Sequence, residues 1–477
     1  MTEQEGTSVQ KHSLSSEREA GIRSSVAAGL PVAVADLSDL VRIPSVSWDG
    51  FDASAVAQSA EAVAALFEAT GVFDAVSVKR ANTETGEAGQ PAVLATRTAR
   101  NGKPTVLLYA HHDVQPPGND ADWNSPPFEP TVRGDRLYGR GAADDKAGVV
   151  SHVAAVRALA ESYGDDLELG LVVFIEGEEE FGSRSFADFL EQNREALAAD
   201  VIVVADSDNW NIDTPALTIS LRGNVTLKLT VSTLSHASHS GMFGGAAPDA
   251  MLATIRLLST LHTTDGSVAV EGLTSSGEAV PESSDADFIV DAGLLPGVTP
   301  IGTGPLLGRL WAKPAITVTG IDAPSVQNAS NTLQPQVSVK ISARIAPGQD
   351  ARAAFEALKT HLYANAPFGA HLEISDVDTG QAFLVDTSGW AVAEAKQAMA
   401  DAWGVDPVET GVGGSIPFIA DLVRVFPEAQ ILVTGVEDPD TRAHSPNESL
   451  HLGVFKRAIL TEALLLSRLA EKRLTDF

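Results

Sequence analysis

Residues 105–116 read TVLLYAHHDVQP. A short apolar run bounded by polar residues predicts a strand buried on both faces. His111-His112-Asp113 follows it without a break. Open α/β sheets bind ligands beyond the C-terminal ends of their strands, so polar residues at that point predict a site. The same pattern recurs along the chain. LGLVVFI (169–175) runs into Glu176-Gly177-Glu178-Glu179-Glu180, and VIVVA (201–205) into Asp206-Ser207-Asp208-Asn209-Trp210. A run at 430–434 precedes Asp438 to Glu448. Helical spacing over 146–163, 186–199, 390–403 and 455–472 separates these runs. Strands alternating with helices of that length predict an α/β fold with a mixed, largely parallel sheet.

The pattern changes between about 217 and 383. TLKLTVST within 217–233 and PQVSVKISARIA at 335–346 alternate polar with apolar, as antiparallel strands with one solvated face do. Helical stretches at 248–261 and 351–364 accompany them, with a Gly/Ser/Pro/Asp-rich stretch at 263–308. The simplest organisation is a discontinuous catalytic domain, 21–216 and 384–477, interrupted by an α+β unit at 217–383. Residues 1–20 are polar and are expected to be frayed, with short helices at 31–40 and 53–70.

Composition narrows the chemistry. Thirty-three basic against 63 acidic residues leave a net charge of −30, which repels phosphate backbones and anionic lipid. Neither a nucleic-acid nor a membrane partner is expected. The absence of cysteine removes thiol nucleophiles, disulfides and thiolate metal sites, so a metal centre must use His, Asp and Glu. No apolar signal-peptide core stands out at the N-terminus, and a cytoplasmic protein is the default.

Each strand-end cluster has an ordinary reading beside the functional one. His111 followed two residues later by Asp113 fits a metal ligand and its orienting carboxylate, or a polar loop. In GRGAADDKAG (139–148), Asp144 and Asp145 at a helix start read, on their own, as N-caps. Four glutamates within 176–180 form a solvated loop, or else need a cation to relieve their repulsion. Together, two histidines and several carboxylates from separate strand ends suit a two-metal hydrolase.

In combination, YAHHDVQP, GRGAADDKAG, EGEEEFGS, SDNW, HASHSGMFGG, GGSIP and AHSPNE resemble the zinc-dependent metallopeptidases that include aminoacylase, carboxypeptidase G and cytosolic nonspecific (carnosinase-like) dipeptidase. The likeness runs in order from about Ile43 to Leu460 and is nearest the dipeptidase branch. It implies two Zn²⁺ per subunit, with Mn or Co possible for such ligands. His111 and Asp208 would hold one ion and His444 and Glu180 the other, with Asp144 bridging. Glu179 would be the general base, and Asp113 the carboxylate that orients His111. The inserted unit would be a lid and dimerisation domain. Its His239 would reach a partner subunit's site and stabilise the oxyanion, and its Arg344 would hold the substrate carboxylate. Thr332, Gly414 and Ser415 would add hydrogen bonds to the substrate.

The resemblance thus implies a homodimeric dipeptidase that splits an amide bond with a water shared by two zinc ions and a glutamate base. Val412 stands where dipeptidases of this branch commonly carry Glu, a residue suited to a substrate's free amine. An N-acyl-amino-acid deacylase, of acetylornithine or succinyl-diaminopimelate type, therefore stays open, as does a carboxypeptidase. A non-catalytic relative would lack Glu179 or a ligand, and every motif position here is filled.

Overall fold

The computed structural model describes residues 16–277, 280–413 and 417–476. The chain divides into two compact units. The first runs to Leu217 and resumes at Asp386–Val408 and Asp421–Phe477; the second comprises Thr218–Val385 and Glu409–Ala420. Contacts thus group residues 409–420 with the second unit, whereas the expected boundary at 384 puts them in the catalytic domain. The strand Val408–Val412 pairs with Ala216–Leu221, and Arg222 N–H donates to Val412 O.

The first unit is built on the four apolar runs. Thr105–His111, Gly170–Glu176, Val201–Val204 and Gln430–Val433 lie parallel, and Ala75–Lys79 and Ala92–Arg97 extend the sheet antiparallel on one side. All seven residues of Gly170–Glu176 are buried, because helices cover the parallel sheet. The parallel strands point the same way, so their C-terminal ends share one edge. That edge carries His111, Glu176, Val204 and Val433, and the polar clusters follow each of them.

The helices Ser16–Val41, Lys146–Tyr163, Trp390–Trp403 and Leu452–Glu471 pack together in this unit. The first is longer than the expected 31–40, and it overturns the expectation of fraying for residues 16–20. Ile22, Val26, Ala33, Leu37 and Leu40 fall on one face at helical spacing and are buried, which sustains the helix through Pro31. By length and composition it is long and apolar enough to cross a membrane; here Ile22, Val26, Ala33, Leu37, Leu40 and Val41 are its buried residues. Its end is tied down by the buried Lys146, whose ammonium donates to Leu40 O (2.9 Å) and Ile43 O (2.7 Å).

The second unit is an antiparallel sheet in the order Ala315–Asp322, Gln336–Ile345, Gly223–Ser232, His371–Gly380. Its alternating residues Val225, Leu227, Leu229, Val231, Ile341 and Ala343 pack with Ala253, Leu257, Leu358 and Leu362 from the helices Ala250–Leu258 and Ala351–Ala364. The single strand expected over 217–233 is broken at Arg222 into Ala216–Leu221 and Gly223–Ser232. A side chain at Gly223 would collide with Gly380 O, 2.5 Å from where its Cβ would lie.

Candidate metal centre

Four strand ends converge on two groups of candidate ligands. His111, Asp144 and Asp206 offer ligand atoms within 4.8 Å of one another, and so do Asp144, Glu180 and His444. Asp144 belongs to both groups. Its Oδ1 is 3.1 Å from His111 Nε2, and its Oδ2 is 2.9 Å from His444 Nε2. Glu180 Oε2 lies 3.2 Å from the same His444 nitrogen. One carboxylate between two His/carboxylate sets is the donor arrangement of a two-cation centre.

The neighbouring residues hold this geometry from behind. His111 Nδ1 faces the Asp113 backbone carbonyl at 3.1 Å and its carboxylate at 3.3 Å, leaving Nε2 for the centre. Asp113 also accepts from the N–H groups of Glu179 and Glu180 and from Ser47 Oγ. One carboxylate therefore orients the histidine and fixes the turn that carries Glu179. Gln115 donates to Glu180 from its backbone N–H (3.0 Å) and its side chain (2.7 Å). His112 turns away, 2.8 Å from Pro91 O, and burial pushes its pKa down to about 4.

The four glutamates of 176–180 are dispersed. Glu176 accepts from Tyr109 OH at 2.6 Å, and Glu178 accepts from Ser185 N–H and pairs with Arg184. Glu180 joins the ligand group, and Glu179 stays in the site with Oε2 4.0 Å from His111 Nε2. The capping reading fails for Asp145, which precedes Lys146–Tyr163 without a side-chain cap and instead accepts from His111 N–H.

Asp208 is corrected. The carboxylate that joins His111 and Asp144 is Asp206, two residues beyond the strand Val201–Val204. Asp208 is exposed and forms a parallel bridge with Glu437. Gly435 lets the two loops meet so closely that a Cβ there would lie 1.7 Å from Ser207 O. Asn209 locks the junction by donating to Gly435 O and Glu437 O. Asp206, Gln115 and Glu437 are residues that the sequence reading does not single out and the structure brings to the site. The available signal for Asp206 was its place as the first acidic residue after VIVVA.

Electrostatics point to a site built for positive charge. Burial pushes Asp206 up to about 6, and burial together with the Asp144 charge pushes Glu180 up to about 7. Burial also holds Glu179 well above the carboxylate range; Asp206, Glu180 and Glu176 add to it against the opposing His111 charge. Burial raises Glu437 too, reinforced by Asp144 and Asp208. Hydrogen bonds to Asp144 and Glu180 raise His444 to about 10. Burial alone would lower His111, but its bonds to Asp113 and Asp144 outweigh that and hold it well above its usual value. Carboxylates this crowded and desolvated are relieved by cations, and the donor set fits a hard or borderline divalent metal.

In the second unit, His239 and Thr332 face each other across a short antiparallel ladder, Ser238–His239 with Thr332–Leu333. His239 is exposed. Its Nδ1 accepts from Gly241 N–H at 3.0 Å, so the neutral ring carries its proton on Nε2. Arg344 lies on Gln336–Ile345, opposite Asn224 and Ala315. Gly414 and Ser415 fall outside the described residues.

Known proteins share this architecture. The model of peptidase family M20/M25/M40 matches residues 107–468. A cysteinylglycine-S-conjugate dipeptidase from Corynebacterium striatum is 36% identical over 365 residues, covering 76% of this chain and 80% of the relative. The Cys-Gly metallodipeptidase dug1 of Schizosaccharomyces pombe is 29% identical over 448 residues, covering 89% and 93%. Among solved structures, the di-peptidase Dug1p of Saccharomyces cerevisiae superposes with a TM-score of 0.74 at 24% identity, covering 96% of this chain and 100% of that one.

Proposed function

The chain belongs to peptidase family M20/M25/M40, and from that premise we propose that it is a metal-dependent dipeptidase working with two zinc ions. The observation that carries this reading is Asp144, shared between the His111-Asp206 and Glu180-His444 sets with Glu179 beside them. Two divalent cations held by these residues would polarise the scissile carbonyl and lower the pKa of the attacking water. Zinc suits the set, and manganese or cobalt would be tolerated by the same ligands.

The residues of the chain do the rest. Glu179 takes a proton from the attacking water and returns it to the leaving amine. Asp113 keeps the Glu179 turn and the His111 ring in place. His239, carried by the second protomer of a homodimer, donates from Nε2 to the tetrahedral oxyanion. This role is supported by the bond that occupies its Nδ1. Arg344 receives the substrate's terminal carboxylate through its planar fork, and Thr332, Gly414 and Ser415 complete the substrate contacts. A cytoplasmic location is part of this reading and is testable by fractionation.

Dipeptides are favoured over N-acyl amino acids by the names of the relatives, which include a cysteinylglycine-S-conjugate dipeptidase and Cys-Gly metallodipeptidases. The test is a zinc-loaded assay on Cys-Gly, an S-alkylated Cys-Gly, and their N-acetylated counterparts, with a chelator control. Hydrolysis of the free-amine substrates, lost on chelation, is expected. A higher kcat/KM on the acetylated compounds would turn the assignment to a deacylase.

A further inference from the structure

A buried ion pair outside the ligand groups joins two of the loops that form them. Glu448 is fully buried and Arg140 is 1% exposed. Glu448 Oε2 accepts from Arg140 Nη1 at 2.6 Å and from Gly141 N–H at 3.2 Å. Its Oε1 accepts from the N–H groups of Ala143 (3.0 Å) and Asp144 (3.2 Å). Its own carbonyl accepts from Gly139 N–H. One side chain thus gathers the backbone of residues 139–144, the loop that delivers the shared carboxylate.

Glu448 sits four residues after His444, on a loop with unusual backbone geometry. Arg442, His444 and Asn447 are non-glycine residues with φ of 59°, 62° and 67°. Such left-handed conformations persist only where the surroundings impose them. The His444 side chain is 58% exposed, and its contacts are Asp144 and Glu180. By contrast, His111 closes a central strand and Asp206 follows one by two residues. The Glu180-His444 set therefore depends on loop anchoring more than the His111-Asp206 set does.

We propose that Glu448, braced by Arg140, is a positioning residue that ties the His444 loop to the loop of the shared Asp144, so that its loss weakens both bound divalent cations unequally, the one at Glu180-His444 more than the one at His111-Asp206. The proposal rests on the two-cation reading above. A Gln at 448 keeps the shape and can still accept from the two amides at Ala143 and Asp144. It must then turn an NH₂ group toward Arg140 and Gly141, which are themselves donors, and leave the buried guanidinium without its counter-charge.

The experiment titrates metal-free protein with Zn²⁺ against a chromophoric chelator, for the unmodified chain, Glu448→Gln, His444→Ala and the double variant. The unmodified chain is expected to take up two equivalents. Glu448→Gln is expected to lose about 10–100-fold in one affinity, the usual cost of removing a partner behind a ligand, and less in the other, which shares only Asp144. At the more weakened site the double variant is expected to lose less than the sum of the two single losses, since both changes act through the His444 loop. Unchanged affinities in Glu448→Gln, or equal weakening of both, would overturn the proposal. Should Glu448→Gln fail to fold, Arg140→Lys decides by the same readout. Fewer than two equivalents in the unmodified chain would instead sink the two-cation reading, and this inference with it.

Discussion

The two units prepare their candidate functional residues in opposite ways. In the first, His111 and Asp113 are fully buried, and Asp113 alone accepts from Ser47, Glu179 and Glu180. In the second, His239 is exposed, and its side chain accepts from Gly241 N–H in the next turn. Ligands for a cation must hold their spacing before it arrives, because rearranging buried charge is costly. A group that meets the substrate only near the transition state needs reach and the correct tautomer more than a rigid setting. The difference suits the proposed function, in which the first unit binds metal and the second contacts substrate.

The largest expected effect breaks the comparison at its centre. Glu179→Ala should cost about 10²–10⁴-fold in kcat, the range for a positioned acid–base group, with zinc content unchanged. His239→Ala should cost about 10²–10³-fold, also with zinc retained. If His239 serves a partner's site, mixing the two inactive variants should restore part of the activity, because one hybrid site is then intact. No recovery in verified mixed dimers would confine His239 to its own subunit or remove it from catalysis. Activity above a tenth of the original in Glu179→Ala would discard the general-base assignment.

A smaller effect tests the corrected ligand. Asp206→Asn should weaken one metal site by about 10–100-fold. Asp208→Asn should leave affinity nearly unchanged, because Asp208 is exposed and engaged with the Glu437 loop. Competition titrations on both variants separate them, and the reverse order of losses would restore Asp208 to the ligand set.

That correction marks where the sequence stopped being readable. The strands 105–111, 170–176, 201–204 and 430–433 were legible because burial on both faces demands unbroken apolar runs. The clusters at their ends were legible for the same reason. Choosing between Asp206 and Asp208 required knowing that the chain leaves the sheet at Ala205 and then bends toward Glu437, a contact made across 228 residues of sequence. The dispersal of Glu176 and Glu178 was hidden likewise, since Tyr109 and Ser185 are their partners only in three dimensions. In the second unit the strands 223–232 and 336–345 alternate clearly over their length, but the edge strand His371–Gly380 alternates only through Leu372 and Ile374, which pack on the core. Its register shifts between Ser375 and Asp378, and the exposed remainder carries no sustained pattern. The helix through Pro31 was lost to a local rule about proline that tertiary packing overrode.

The smallest effect sharpens the comparison by perturbing the second unit alone. Asp350 caps the helix Ala351–Ala364, its Oδ1 accepting from Ala353 N–H at 2.8 Å. That helix buries Ala354, Leu358 and Leu362 against the antiparallel sheet. Asp350→Ala removes the cap without touching the core and should cost about 1 kcal/mol. In a unit of this size the loss corresponds to a melting shift of about 2–4 °C. If the two units are separately organised, the shift appears in a transition that excess zinc does not move, while zinc affinity stays the same. A change in zinc affinity on Asp350→Ala would mean that the second unit helps to shape the metal centre. The division of labour between a preset ligand cage and a supplier of substrate contacts would then have to be abandoned.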